Sequence, residues 1–254
     1  MSNAPADAVS DHGLLLVGHG TREAIGIREF HETARLVARL RDDQPVEGCL
    51  LEFAEPSIAV GFRTLASRGV RRVTVAPVLL FAAGHAERDI PQAVAAVAAE
   101  FPSIVVEQCA HLGCHEALLA LSQIRYQEAI AGRPITDKTA LVLVGRGSHH
   151  AGATAEMHEF VRRRVALTPV DEVRTAFVAM AEPPLEQVLA DLAGNDCTRV
   201  IVQPHLLFGG VLLDRIAATV ADFAGRHRGC EWVVASHLGT HALLAQAIAS
   251  RAAR

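Results

Sequence analysis

Apolar residues in this chain follow two alternating rhythms. Short runs rich in Val and Leu read as buried parallel strands, and the longer stretches between them repeat their apolar positions at helical spacing. The first run is Leu14–Gly18; the stretch 24–40 that follows sets Ile27, Phe30, Ala34, Val37 and Ala38 on one helical face. A second strand is expected near 46–52, then a helix opened by Pro56 in its first turn and closed at Gly69. The β-branched run Val73–Val75 marks a third strand, 72–76, ended by Pro77 because proline has no N–H to give a ladder. Beyond it Leu79–Phe81 anchor a crossing of the sheet rim, Ala82–Gly84 turn it, and Asp89 caps a helix to Phe101 with Pro91 in its first turn, which puts His85 on a rim loop. A strand at 104–109 and a helix from His115 to Ala131, stopped by Gly132-Arg133-Pro134, complete a four-stranded α/β unit.

The pattern then starts again. LLVGHGT at 15–21 returns as VLVGRGS at 142–148, FAEP at 53–56 as MAEP at 180–183, and RVTVAPVLLF at 72–81 as RVIVQPHLLF at 199–208. One offset, 127 residues, relates Gly18 to Gly145, Glu55 to Glu182 and Pro77 to Pro204, so the chain holds two copies of one domain. The boundaries fall at 12–133 and 138–254, with 132–138 as the joint and residues 1–11 as a loose polar lead.

Parallel strands bring their carboxyl ends to one edge, where open α/β sheets bind ligands. In the first copy the residues delivered there are His19 after the first strand, Glu52 after the second and His85 beyond the third. The second copy acts as an internal control. Gly18, Glu55, Pro56, Pro77, Leu79 and Phe81 keep their identity there, while Arg146 stands for His19, Ala179 for Glu52 and Leu212 for His85. Framework is kept and chemistry dropped, as one active and one degenerate half would require. The same test demotes Cys109, His111, Cys114 and His115, which have the composition of a soft-metal cluster. At an offset of 126 both histidines recur as His237 and His241 but the thiols become Ala235 and Thr240, so a strand-to-helix turn is expected. Glu29, His31 and Glu32 recur as Glu156, His158 and Glu159 and read as surface or inter-domain contacts; His149 and His150 read as a solvated loop pair, and His205, in place of Val78, faces the other half.

Composition narrows the class. Half of the 254 residues are apolar, yet no uninterrupted run approaches the ~20 residues of a membrane span. A formal charge of −4 offers no footprint for nucleic acid. Five cysteines, an odd number without Cys-x-x-Cys, argue for reduced thiols rather than disulfides or a zinc knuckle. MSNAPADAVSD has neither the basic region nor the apolar core of an export signal, so the cytoplasm is the expected location.

Two imidazoles and a carboxylate suit a borderline divalent ion or proton transfer, and a hydrolytic zinc site with an open position stays possible on the residues alone. There is no HExxH pairing and no GxxxxGK[ST] phosphate loop; groups drawn from three strand ends leave room for a large flat substrate. A strand followed by His-Gly is also similar to histidine phosphatases, but those have Arg where this chain has Gly18. VGHGTR, LEFAEPS and PVLLFAAGHAERDIP together resemble the sirohydrochlorin chelatases, class II enzymes that insert a divalent metal into a tetrapyrrole on the way to sirohaem or cobalamin.

The resemblance covers nearly the whole chain and includes the duplicated long form, whose second half lacks the catalytic histidines. It implies two tandem α/β domains, each a four-stranded parallel sheet with helices on both faces, facing each other across a cleft. It further implies His19 and His85 as catalytic residues that hold the metal, Glu52 as the accompanying carboxylate, and sirohydrochlorin with Co2+, Fe2+ or Ni2+ as substrates, without a permanent cofactor. Gly20, Thr21 and Arg22, at a helix start, are placed to bind the substrate's carboxylates. Arg146 either joins them from the opposite wall or bridges the halves. Some relatives carry a His- or Cys-rich tail; none is expected here. A metal or tetrapyrrole carrier that catalyses nothing is the alternative, and the fused halves are expected to act as a pseudo-dimer, with homo-oligomers left open.

Overall fold

Among the described residues, eight short strands form where the apolar runs lie, and they make two parallel sheets. The computed structural model describes residues 10–81, 84–130, 132, 138–168, 170–195 and 197–253, without the side chains of His85 and Ala86; the expected turn at Ala82-Ala83, the lead before Ser10 and most of the joint lie outside the described residues. The first sheet contains β1 (His12–Gly18), β2 (Val46–Leu50), β3 (Arg72–Val78) and β4 (Val105–Gln108) in the order β2-β1-β3-β4. The second repeats it with β5 (Thr139–Gly145), β6 (Glu172–Phe177), β7 (Arg199–Pro204) and β8 (Glu231–Val234) in the order β6-β5-β7-β8. In each sheet the strand order reverses between the first and third strands, a switch point that opens a crevice at their carboxyl ends.

The helices are α1 (Ala24–Leu40), α2 (Ile58–Ser67), α3 (Ile90–Ala98), α4 (Glu116–Ile130), α5 (Ala151–Val165), α6 (Leu185–Ala193), α7 (Val211–Arg226) and α8 (Ala242–Ala252). Four expectations need correcting. Pro77 does not end β3 but pairs with Val17 inside it. It is tolerated because β4 stops at Gln108, opposite Val75, so β3 has a free edge on that side by Pro77. Pro56 does not open α2; it follows a cis peptide bond, and Ser57 takes the N-cap position. Asp89 does not cap α3, because its own φ and ψ are helical, at −73° and −41°. A wide π turn, His85–Asp89, leads directly into α3, so the His85 backbone is helical rather than looped. Such turns are frequent at functional sites.

Alternate residues of β1 serve two faces. Leu15 and Val17 pack with Phe62 and Leu65 of α2 and Val94 of α3. Leu14 and Leu16 face α1 and, from the far end of the chain, α8, whose Leu244, Ala245 and Ile248 share their cluster. The second sheet is covered reciprocally: α6 and α7 lie on one face, and Tyr126 of α4 packs with Leu141, Leu143 and Ile201 on the other. Each half therefore lends its last helix to the other half's sheet.

What distinguishes the two borrowed helices is polarity. In the first half Val37, Ala76 and Ile248 form an apolar contact. The matching positions in the second half are Arg164, Gln203 and Ser122. The Ser122 hydroxyl accepts from Arg164 Nε at 3.1 Å and from Gln203 Nε2 at 2.9 Å, the Ser122 carbonyl accepts again from Gln203 at 2.7 Å, and Arg164 also donates to Thr168. Burial without a carboxylate among its described partners pulls the Arg164 guanidinium down to about 10. Docking α4 on the first sheet would strand Ser122 among aliphatic side chains, and docking α8 on the second would strand Arg164.

Several further links between the halves come in matched pairs related by the repeat. Glu29 of α1 accepts from His237 at 3.1 Å, and Glu156 of α5 accepts from His111 at 2.9 Å. Thr240 donates to the Glu29 carbonyl at 3.0 Å and Cys114 to the Glu156 carbonyl at 3.7 Å. His115 and His241 accept backbone N–H bonds at the starts of α4 and α8. The apparent thiol–imidazole cluster is thus interface hardware, and burial raises the Cys109 thiol to about 11, far from the thiolate a metal needs. Glu29 and Glu156 are inter-domain contacts, as the repeat suggests.

His205 does face the other half. Its ring is buried against Phe160 at 3.9 Å and Phe81 at 5.5 Å between centroids, with no partner for either nitrogen among the described residues. Burial drives its pKa down to about 3, so it stays neutral.

Two outcomes are expected in urea unfolding. Ser122→Ile alone should destabilise the protein by about 3 kcal/mol, since the buried Arg164 and Gln203 lose the hydroxyl they share, whereas Ser122→Ile combined with Arg164→Val and Gln203→Ala, the residues of the first half, should recover more than half of that loss. His205 has a folded-state pKa below its unfolded value, so the unfolded chain binds the proton first and stability falls as pH drops from about 6.5 toward 3, by up to roughly 1 kcal/mol per pH unit. His205→Val, the residue at the matching Val78, should flatten that slope.

Candidate active site

A cavity of about 1080 Å3 opens at the carboxyl ends of both sheets, and residues of both halves line it. Small-molecule sites span roughly 300–1,000 Å3, so this one suits a large ligand. Its walls are the two switch points. His19 directly follows β1, and the π turn headed by His85 follows β3, the two strands that flank the first crevice.

Backbone contacts hold this wall together. Leu51 N donates to the Gly18 carbonyl at 2.9 Å and Glu52 N to the His19 carbonyl at 3.0 Å, tying the ends of β1 and β2. Gly20, at φ +95°, fits only as glycine, because a Cβ there would stand 1.9 Å from the Glu52 carbonyl oxygen. Gly147 repeats this at φ +87° against the Ala179 carbonyl. His19 Nδ1 lies 3.1 Å from the Gly20 carbonyl oxygen. A carbonyl only accepts, so Nδ1 is the donor of that bond, and in the neutral ring Nε2 is the nitrogen that carries the lone pair.

Of the residues singled out from sequence, His19, Gly20, Thr21, Arg22 and Arg146 all line the one cleft, Arg146 on the wall opposite His19. Glu52 stands on the rim, its backbone against Gly20 and its side chain exposed outside the lining. The His85 side chain lies outside the described residues; its neighbours Gly84, Arg88 and Asp89 line the cleft. Among the described residues, no three His, Cys, Asp or Glu side chains group closely enough to hold a metal ion.

Sequence reasoning missed Phe53 and Arg88; His149 and His150, read as a solvated loop pair, are exposed and also line the cleft. The return of FAEP as MAEP was the available signal for Phe53. Arg88 pairs with Asp89 at 3.1 Å, and the Arg22 guanidinium lies 5.0 Å from the centre of the Phe53 ring. With Arg22, Arg88 and Arg146 against Glu23 and Asp89, the lining favours an anionic guest.

Known proteins match this arrangement over almost the whole chain. A sirohydrochlorin cobaltochelatase of Priestia megaterium is 28% identical over 94% of this chain and 78% of its own length. A sirohydrochlorin ferrochelatase of Bacillus subtilis is 27% identical over 94% of this chain and 89% of its own. The structure of SirB from Bacillus subtilis with Fe3+ superimposes with a TM-score of 0.83, at 26% identity, covering 94% of this chain and 93% of SirB. The sequence profile of the CbiX family matches twice, at residues 13–129 and 140–254, and with both copies matched across two facing four-stranded sheets the chain belongs to the CbiX family.

Proposed function

We propose that this protein is a sirohydrochlorin chelatase, a lyase in the metal-inserting sense, which places cobalt(II) or iron(II) in the macrocycle for cobalamin or sirohaem synthesis without ATP. The observation that carries the reading is His19, hydrogen-bonded from Nδ1 to the Gly20 carbonyl, at the switch-point edge of a cleft that Arg146 of the second half also lines. The chelatase names of relatives that span nearly the whole chain support it.

Insertion exchanges one divalent ion for the two protons on the pyrrole nitrogens. His19 Nε2 and the His85 imidazole hold the incoming ion from one face and accept protons as it enters the ring. Glu52, exposed on the rim beside His19, passes those protons to water. Arg22 and Arg146, with Thr21 and the backbone at Gly20, bind the ring's carboxylates from the two walls and so set its position. Residues 12–133 carry the chemistry and 138–254 the opposing wall. Both walls come from one chain, so a monomer suffices. We place the protein in the cytoplasm, where its five free cysteines stay reduced.

The test is absorbance of sirohydrochlorin mixed with Co2+ or Fe2+ and purified protein. The wild type should give many turnovers; stoichiometric binding without turnover would make it a carrier. His19→Ala and His85→Ala should each cut kcat by roughly 10^2-fold or more with an unchanged unfolding midpoint. Wild-type rates in either variant would remove that histidine from the mechanism.

A further inference from the structure

Phe53 sits at the centre of a three-residue turn. The Ala54 N–H donates to the Glu52 carbonyl at 2.9 Å, and Phe53 has φ +68°. This is the rare form of γ-turn, in the left-handed region where a bulky side chain is strained and glycine or asparagine is the ordinary choice. The strained residue is also 53% exposed, so it gains little from burial. The second half repeats both costs. Met180, at the matching position, has φ +53° and is 40% exposed. Glycine would relieve each, yet a large apolar side chain stands at both.

Both side chains line the cleft. The Phe53 ring is near-parallel to the His19 imidazole, 23° between planes and 6.3 Å between centroids, and the Arg22 guanidinium covers it from 5.0 Å. A flat π surface is thereby held beside a nitrogen with a lone pair, with a cation close by. We infer that Phe53 is a substrate-contacting residue that stacks on the face of the conjugated ring and registers its centre on His19, and that Met180 is the soft, adaptable contact from the other wall. This deepens the chelatase reading and rests on it. The strain becomes intelligible: the turn that bonds Glu52 to β1 also aims an aromatic ring into the cleft, and the ligand's apolar face supplies the burial that folding does not.

The test separates ring binding from metal chemistry. Metal-free sirohydrochlorin is titrated into wild-type, Phe53→Gly, Phe53→Leu and Phe53→Tyr proteins, following the absorbance shift of the bound tetrapyrrole. Phe53→Gly should weaken binding roughly tenfold, raise KM for sirohydrochlorin while leaving KM for the metal nearly unchanged, and keep or raise the unfolding midpoint because the φ strain is gone. Phe53→Tyr should restore affinity. Should Phe53→Gly lower the midpoint, Phe53→Leu decides, since it keeps apolar bulk without the ring; wild-type affinity in a folded Gly or Leu variant overturns the inference and leaves the chelatase reading standing. A wild type that neither binds nor metallates sirohydrochlorin overturns both.

Discussion

Each sheet can be buried only with a helix from the other half, and this constraint sets the rest of the molecule. The face of β1 and β3 that carries Leu14, Leu16 and Ala76 is covered by α1 and α8, while α4 goes to the second sheet. The cleft walls are consequently held at a separation fixed by close-packed core, not by loops. Glu29–His237 and Glu156–His111 pin the same junction as a matched pair. A ligand binding between the walls meets a preformed gap and need not assemble it, which lowers the ordering cost of recognising a rigid, flat molecule.

Duplication separates what the fold needs from what the chemistry needs. Gly20 and Gly147 each leave room for a carbonyl that a Cβ would strike, so both copies keep glycine. Cys114 and Thr240 differ in chemistry but give the same kind of bond to a helix carbonyl, so the position tolerates either. His19 has no such twin: Arg146 occupies the matching place on the opposite wall of one cavity. The substitutions that fall on the cleft change what the wall can do; at the interface Cys114 and Thr240 keep the same bond, while Arg164, Gln203 and Ser122 replace an apolar contact with a polar one.

Much of this was legible before any coordinates. Strands advertise themselves as short Val- and Leu-rich runs because parallel strands are buried on both faces, and the constant offset of 127 exposes the second domain. That His19 and the residues just after it lie at the cleft followed from knowing that parallel strands end on one edge, whereas Glu52, expected there by the same argument, keeps its side chain outside the lining. Other features were hidden for physical reasons. Helix exchange leaves little local mark, since one serine in the mostly apolar face of α4 shows its sheet only once Arg164 and Gln203 are seen beside it. Pro77 looked like a terminator because whether a strand has a free edge depends on where its neighbour stops, a property of β4 and not of the residues around Pro77. Phe53 escaped notice because an apolar residue in a loop is ordinary; only its positive φ, which no composition reveals, marks it out.

Fusion of the halves is what permits the site to be lopsided. In a symmetric pair of identical subunits every substitution appears twice, so a histidine on one wall entails a histidine on the other, and a flat guest has two equivalent ways to lie between them. A single chain escapes that rule. It places an imidazole on the cleft lining from one half and a guanidinium from the other, and it keeps Val37, Ala76 and Ile248 apolar while their counterparts become Arg164, Gln203 and Ser122. The second asymmetry protects the first. Once the walls differ, a helix docked on the wrong sheet would misplace one of them, and a buried polar set that tolerates only α4 makes that exchange costly. The division of labour across the cleft and the polar lock in the core are therefore two consequences of the same freedom, gained when two copies became one chain.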